Sequence, residues 1–253
     1  MSDPENPYDR PVFVARYARS RPGPPTDLFP LLAQLCDKER PGLVVDLGCG
    51  TGLSTVPWSG RARQVVGIES NPFMLRRARR APGVEYRLTS AHATGLPAGS
   101  ADIVTCSQSF HWMPPKDTTR EIARILRRGG LLAVYDYQLP PVIDPGLDRE
   151  FTELLRWCDL PTERTDKAAH AARLSRSGRF RWVRSFTLHH SETGGARRLI
   201  DLALSIAHVA ARLPEATESR EPHWRRFVTA AHRTLDSGRR RWWWAYDVTL
   251  AMK

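Results

Sequence analysis

The stretch Val44 to Ser54 (VVDLGCGTGLS) gathers residue types able to hold a charged ligand. An apolar run ends at Asp46-Leu47 and opens into Gly48-x-Gly50-x-Gly52. Glycine adopts positive φ angles and lets a ligand approach the backbone, and a helix beginning after the loop would add free N–H groups. The spacing is GxGxG rather than the dinucleotide-type GxGxxG, and a tight turn with no ligand would use the same glycines. Glu69 closes VVGIES, 23 residues after Asp46, where a carboxylate can accept both hydrogen bonds of a ribose 2′,3′-diol. Ser90-Ala91-His92, leading to Gly95-Leu96-Pro97, offers small side chains and backbone groups to an adenine edge. Further on, CSQSFHWMPP (Cys106 to Pro115) carries Ser107, Gln108, Phe110 and His111. His111 is there either a base or a structural imidazole bonded to a neighbouring loop, with Phe110 as pocket wall and Trp112 as core.

Elements that would position these residues follow from hydrophobic periodicity. Short apolar runs at Leu43–Leu47, Gln64–Ile68, Val84–Leu88, Ile103–Ser107 and Leu131–Tyr135 alternate with helical spacing at Pro72–Arg80 and Asp117–Arg127, the second ending at Gly129-Gly130. Such alternation predicts βαβ units and a doubly wound parallel sheet, whose ligand crevice lies at the carboxyl ends of the strands. After Tyr137 the break LPPVIDPG leads to strand patterns at Arg181–His190 and Trp242–Met252 and helix patterns at Ala196–Leu213 and Trp224–Leu235. Ahead of the first strand, a Pro-rich arm ends in a helix at Leu28–Cys36. The expectation is one domain over 1–253: an arm or lid over 1–40, a core over 41–137, and cap helices with the final strands over 138–253.

Composition narrows the classes. MSDPENPYDR is polar, and no apolar run approaches the roughly 18 residues needed to cross a bilayer, so a cytoplasmic protein without membrane contact is expected. Cys36, Cys49, Cys106 and Cys158 show neither disulfide nor zinc spacing, and no metal is expected. The net charge of +11 comes mostly from dispersed arginines, only Lys38, Lys116, Lys167 and Lys253 being lysines. Dispersed charge argues against a nucleic-acid partner and keeps an acidic small molecule or an acidic carrier protein in view.

Together these segments resemble the class I S-adenosylmethionine-dependent methyltransferases, in the small-molecule branch that includes trans-aconitate methyltransferases. The resemblance covers residues 10–137. It implies an α/β, Rossmann-like doubly wound sheet of seven strands, mostly parallel with the last antiparallel, carrying helical cap insertions. It implies S-adenosyl-L-methionine as cofactor, with Gly48, Cys49, Gly50 and Gly52 around the methionine part and Asp46 near its ammonium. Glu69 and Ser70 would then serve the ribose, Ser90 and Ala91 the adenine, and Ser107 the cofactor from the fourth strand. Gln108-x-Phe110-His111-Trp112 resembles the Gln-x-Phe-His-Trp signature of the branch, and Tyr17-x-x-x-Arg21-Pro22 its arm over the active site. Tyr17, Arg21, Gln108, Phe110 and His111 are therefore the candidate acceptor-binding residues. Ser90 stands where an acid is common, and His92 where a Glu follows.

The chemistry implied is O-methylation of a carboxylate or hydroxyl, with His111 as the candidate base for a hydroxyl. Alternatives are a carrier-linked acid, a nucleic acid, and a non-catalytic cofactor-binding sensor. The chain lacks an Asn/Asp-Pro-Pro-Tyr/Phe loop after the fourth strand, and Thr105 rather than Pro precedes Cys106. Both features count against nucleic-acid methylation.

Overall fold

The computed structural model describes residues 6–160, 169–213, 220–236 and 238–253. The strands are β1 (Leu43–Leu47), β2 (Gln64–Glu69), β3 (Val84–Leu88), β4 (Ala101–Ser107), β5 (Leu126–Tyr137), β6 (Trp182–Gly194) and β7 (Arg240–Met252). The helices are α1 (Pro11–Ser20), α2 (Leu28–Leu35), α3 (Pro72–Arg76), α4 (Pro115–Ile125), α5 (Pro145–Trp157), α6 (Ala169–Arg176), α7 (Ala196–Leu204), α8 (Ala207–Arg212) and α9 (Pro222–Leu235). The chain divides into two compact units, one of residues 1–22, 138–164 and 189–245 and the other of 23–137, 165–188 and 246–253. No helix among the described residues is long and apolar enough to cross a membrane.

The seven strands lie in the order β3-β2-β1-β4-β5-β7-β6. Those from β3 to β5 pair in parallel, and β7 runs antiparallel to β5 from Leu131↔Met252 to Tyr137↔Tyr246. This is the expected α/β doubly wound sheet. The second unit's core holds Val45, Leu47, Val66, Ile68, Val104 and Leu132. Continuous burial of the central strands explains why they read as unbroken apolar runs. At β1 the strand order reverses, so the loop after β1 leaves at the switch point where such sheets bind ligands.

Several boundaries differ from expectation for local reasons. No α-helix follows the glycine loop; the chain makes one 3-10 turn at Val56–Trp58, because Ser54 and Thr55 turn their hydroxyls onto Asp46. Helix α3 stops at Arg76 rather than Arg80, since the Arg79 N–H leaves helical register to donate to the Thr51 carbonyl at 3.1 Å. The Gly129-Gly130 pair lies inside β5, where Gly129 N donates to Lys253 O and Lys253 N to Gly130 O, each at 3.0 Å. The helix expected over Ala196–Leu213 breaks into α7 and α8 at Ser205, whose hydroxyl donates to Leu202 O at 2.7 Å.

The first unit is built from amphipathic helices. Phe151 of α5 packs on Phe227 of α9 at 4.7 Å between centroids, and Asp201 of α7 accepts a two-pronged bond from Arg19 of α1 at 2.8 and 2.7 Å. In the second unit, Glu121 of α4 ties the helix to the loop after β3. Its carboxylate accepts from the Thr94 N–H and hydroxyl and from Arg124, which also donates to Leu96 O.

Two predictions follow from bonds of the second unit. The Arg124 guanidinium, assisted by Thr94 and opposed by burial, holds the Glu121 carboxyl at about 2, below its ordinary 4.5. The folded state thus takes up this proton less readily than the unfolded chain, so the stabilisation is complete above the unfolded value and is lost as pH falls from there toward about 2. Glu121→Gln is expected to cost ~1–3 kcal/mol at neutral pH, the deficit shrinking in acid; denaturant unfolding across pH measures it, and a pH-independent deficit contradicts the assignment. Separately, Thr105 of β4 donates to the buried Asp46 of β1 at 2.7 Å. Thr105→Val keeps the side-chain shape and removes that donor, with an expected loss of ~1–3 kcal/mol in urea unfolding; an unchanged midpoint would contradict a structural role for this bond.

Candidate functional site

The glycine loop is fixed from below by one carboxylate. Asp46 is 0% exposed, and it accepts from the hydroxyls of Ser54 at 2.7 Å, Thr55 at 2.6 Å and Thr105 at 2.7 Å. Burial raises its proton affinity, and the three hydroxyls oppose that rise. Gly48 N and Cys49 N donate to Ile68 O at 2.8 and 3.0 Å, which brings the loop over the end of β2. Gly48 has φ +67°, and a Cβ there would stand 2.6 Å from the Ser109 Cβ. Glycine is needed at this point for both reasons. Gly50 and Gly52 also have positive φ and face Met74 and Tyr86.

At the end of β2 the Glu69 carboxylate accepts from Gly50 N at 2.9 Å through Oε2 and from Asn71 N at 2.8 Å through Oε1. Asn71 in turn caps α3 by accepting from Phe73 N and Met74 N. An ionised carboxylate offers about four lone-pair sites, so these two bonds orient Glu69 and leave capacity for a vicinal diol. Ser70 beside it is exposed. Thr89 N donates to Glu69 O at 3.0 Å, which sets the half-buried Ser90-Ala91 after the same carboxylate. Gly48 to Gly52, Glu69, Ser70, Ser90 and Ala91 therefore line neighbouring strand ends of one unit. The Cys49 thiol is buried and pushed well above its ordinary proton affinity, mainly by burial, which removes it as a nucleophile. All four cysteines are free and buried.

The loop after β4 meets the same ends. Gln108 has φ +54°, donates from its backbone to Tyr135 O at 3.1 Å and from its side chain to Tyr137 O at 3.2 Å. The Ser109 hydroxyl donates to Leu47 O at 2.7 Å, joining this loop to β1. Ser107 is half-buried at the tip of β4. Phe110 is buried in the core, its ring edge-on to His170 at 5.1 Å. Trp112, expected in the core, is instead 63% exposed, because the 3-10 turn Phe110–Trp112 buries Phe110 and turns Trp112 outward. His111 Nδ1 stands 3.8 Å from Asp136 Oδ1, and on the other side His170 Nε2 stands 3.6 Å from Asp136 Oδ2.

Asp136 and His170 escaped the sequence reading. An acid inside the apolar run LLAVYDY was a usable signal, since a charge in a fully buried strand needs a partner. His170 belongs to no motif. Tyr17 and Arg21 lie in the first unit, where Arg21 donates to the Ser205 hydroxyl at 2.8 Å and carbonyl at 2.6 Å and stacks 4.9 Å from the Tyr17 ring centre.

Comparison with known proteins agrees with this geometry. Residues 45–134 match the family described as "Methyltransferase domain". A trans-aconitate 2-methyltransferase of Methylobacterium radiotolerans is 34% identical over 128 residues, 49% of this chain and 47% of that protein. The chain spans about half the length of the curated relatives it matches. Among solved structures, a protein assigned as a type II methyltransferase from Anaeromyxobacter dehalogenans superposes with TM-score 0.72 at 21% identity, over 92% of this chain and 97% of that one. Haemonchus contortus phosphoethanolamine N-methyltransferase 2, solved with phosphomonomethylethanolamine and S-adenosylhomocysteine, gives TM-score 0.55 at 14% identity, over 97% of this chain and 57% of that one. The glycine loop at the switch point, the acid closing β2 and the sheet order thus go with what the comparisons find: residues 45–134 match a methyltransferase domain, and the chain has the fold of solved structures named as methyltransferases.

Proposed function

We propose that the protein transfers a methyl group from S-adenosyl-L-methionine to an oxygen of a small, acidic acceptor. The observation that carries this reading is the Glu69 carboxylate, held by Gly50 N and Asn71 N at the end of β2 with acceptor capacity left for a ribose diol. Gly48, Cys49, Gly50 and Gly52 would follow the methionine part of the cofactor, with Asp46 as the positioning residue beneath them. Ser70 would add to the ribose contact, Ser90 and Ala91 would border the adenine, and Ser107 would approach the cofactor from β4. When bound, the cofactor supplies an electrophilic methyl on a sulfonium sulfur.

What remains for the chain is alignment of the acceptor and exclusion of water. Gln108 and Phe110 shape the acceptor side in this reading. A carboxylate acceptor is already ionised near neutral pH and needs no base, whereas His111 would take the proton of a hydroxyl acceptor. Resemblance to the arm of the small-molecule branch is what assigns Tyr17 and Arg21 to the acceptor, the guanidinium serving as a two-pronged partner for a carboxylate. Likeness to a relative named trans-aconitate 2-methyltransferase supports an acidic acceptor, and so does the net charge of +11.

Labelled methyl transfer to a panel of free di- and tricarboxylic acids, hydroxylated metabolites and a carrier-bound acid tests the proposal. Turnover on a free acid, with stoichiometric S-adenosylhomocysteine, is the expected result. Turnover confined to the carrier-bound acid would move the acceptor to a carrier protein, and cofactor binding without turnover on any acceptor would favour a sensor. With an acidic acceptor in hand, Arg21→Ala should raise its KM by about 10- to 100-fold, the loss expected for charge-assisted hydrogen bonds. Melting curves run alongside separate this from loss of the Ser205 bonds, and an unchanged KM in a folded variant would remove Arg21 from the acceptor site.

A further inference from the structure

The exposed His111 meets Asp136 and His170 in a cluster whose two buried members methyl transfer does not use. Its three candidate ligand atoms lie within 4.8 Å of one another, one from the loop after β4, one from β5 and one from α6. Asp136 is 1% exposed and His170 2%, yet Asp136 Oδ1 and both ring nitrogens of His170 have no hydrogen-bond partner among the described residues. Carboxylate and imidazole face each other at 3.6 Å on one side of Asp136 and 3.8 Å on the other. Those separations exceed ordinary hydrogen bonds, which run about 2.7–3.2 Å. Buried polar groups are rarely left so, and groups that converge without bonding to one another call for a third body between them.

The separations suit an ion. Donor atoms about 2.0–2.2 Å from a tetrahedral zinc stand roughly 3.3–3.5 Å apart, so His170 Nε2 and Asp136 Oδ2 at 3.6 Å need to close by only a few tenths of an ångström. The remaining closure falls on His111, whose side chain is 26% exposed and borders solvent. Charge points the same way, since a divalent cation offsets the buried Asp136 carboxylate. Two borderline imidazole nitrogens beside one hard carboxylate oxygen suit zinc and its first-row neighbours rather than the oxygen-seeking magnesium.

We propose that His111, Asp136 and His170 form a binding site for a divalent first-row transition metal, zinc foremost, with an open coordination position on the His111 side. His170 and Asp136 supply the fixed, buried ligands, and His111 closes on the ion from the exposed edge. The cysteines take no part. One consequence alone rests on the methyl-transfer reading: an acceptor oxygen would enter the open position, and the ion's Lewis acidity would replace proton uptake by the His111 imidazole.

The test uses the whole protein, stripped with chelator and dialysed, without cofactor or acceptor. Titration with Zn(II) followed by calorimetry, together with Co(II) spectroscopy, reads the site directly. Expected are one ion per chain at micromolar affinity or tighter, and cobalt d–d bands without thiolate charge transfer. His170→Gln and Asp136→Asn should each weaken zinc binding at least 30-fold. Because those two side chains are buried, His111→Gln serves as the exposed-ligand variant, with circular dichroism confirming its fold and a weakening of at least tenfold expected. Failure of the wild type to bind a stoichiometric ion overturns the proposal, as does full binding by folded His111→Gln or a cobalt–thiolate band. Failure of the methyl-transfer reading would instead appear as absent cofactor binding, whatever the metal result.

Discussion

A carboxylate sealed from solvent at the end of β1 must find its donors inside the protein, and the Asp46 site meets that demand with three hydroxyls from two separate places in the chain. Thr105 reaches it from β4, while Ser54 and Thr55 reach it from the far side of the glycine loop. Removing water from an ionisable group is costly unless such bonds replace it, so the two central strands and the loop are held to one arrangement. From that arrangement the loop passes over the end of β2, where Gly48 and Cys49 donate to Ile68 O and Gly50 donates to Glu69. The same side-chain bonds account for the missing helix. Residues whose hydroxyls are committed to a buried acid below the loop turn the chain inward instead of starting a helical stretch.

Legibility of the fold in the sequence tracked burial. β1 and β3 have the expected ends, and β2 extends only to Glu69, because apolar runs bounded by turn residues mark strands well. Boundaries moved where a backbone group found a distant partner that local periodicity cannot foresee. Arg79 leaves α3 for Thr51, and Gly129 and Gly130 join β5 by pairing with Lys253. Glu69 and the glycines could be read because spacing along the chain reflects their places at adjacent strand ends. His170 could not, since its position beside Asp136 exists only after α6 packs against Phe110. Asp136 stood in plain view as an acid among apolar neighbours.

Several of the arginines are structural. Arg19 and Arg16 converge on Asp201, Arg198 on Glu192, Arg124 on Glu121 and Arg127 on Asp102. Guanidinium groups suit this work because their forked donors match a carboxylate or a pair of carbonyls. Net charge therefore says more about general attraction of acidic molecules than about any one contact.

The most direct measurement is isothermal titration of the purified protein with S-adenosylmethionine and S-adenosylhomocysteine, alongside Glu69→Ala. The account predicts micromolar binding of both ligands to the wild type and at least about tenfold weaker binding to a folded variant, as expected when hydrogen bonds to a charged group are lost. A well-folded wild type that binds neither ligand would contradict it, and the glycine loop would then stand as a turn required by Ser109, Met74 and Tyr86 alone.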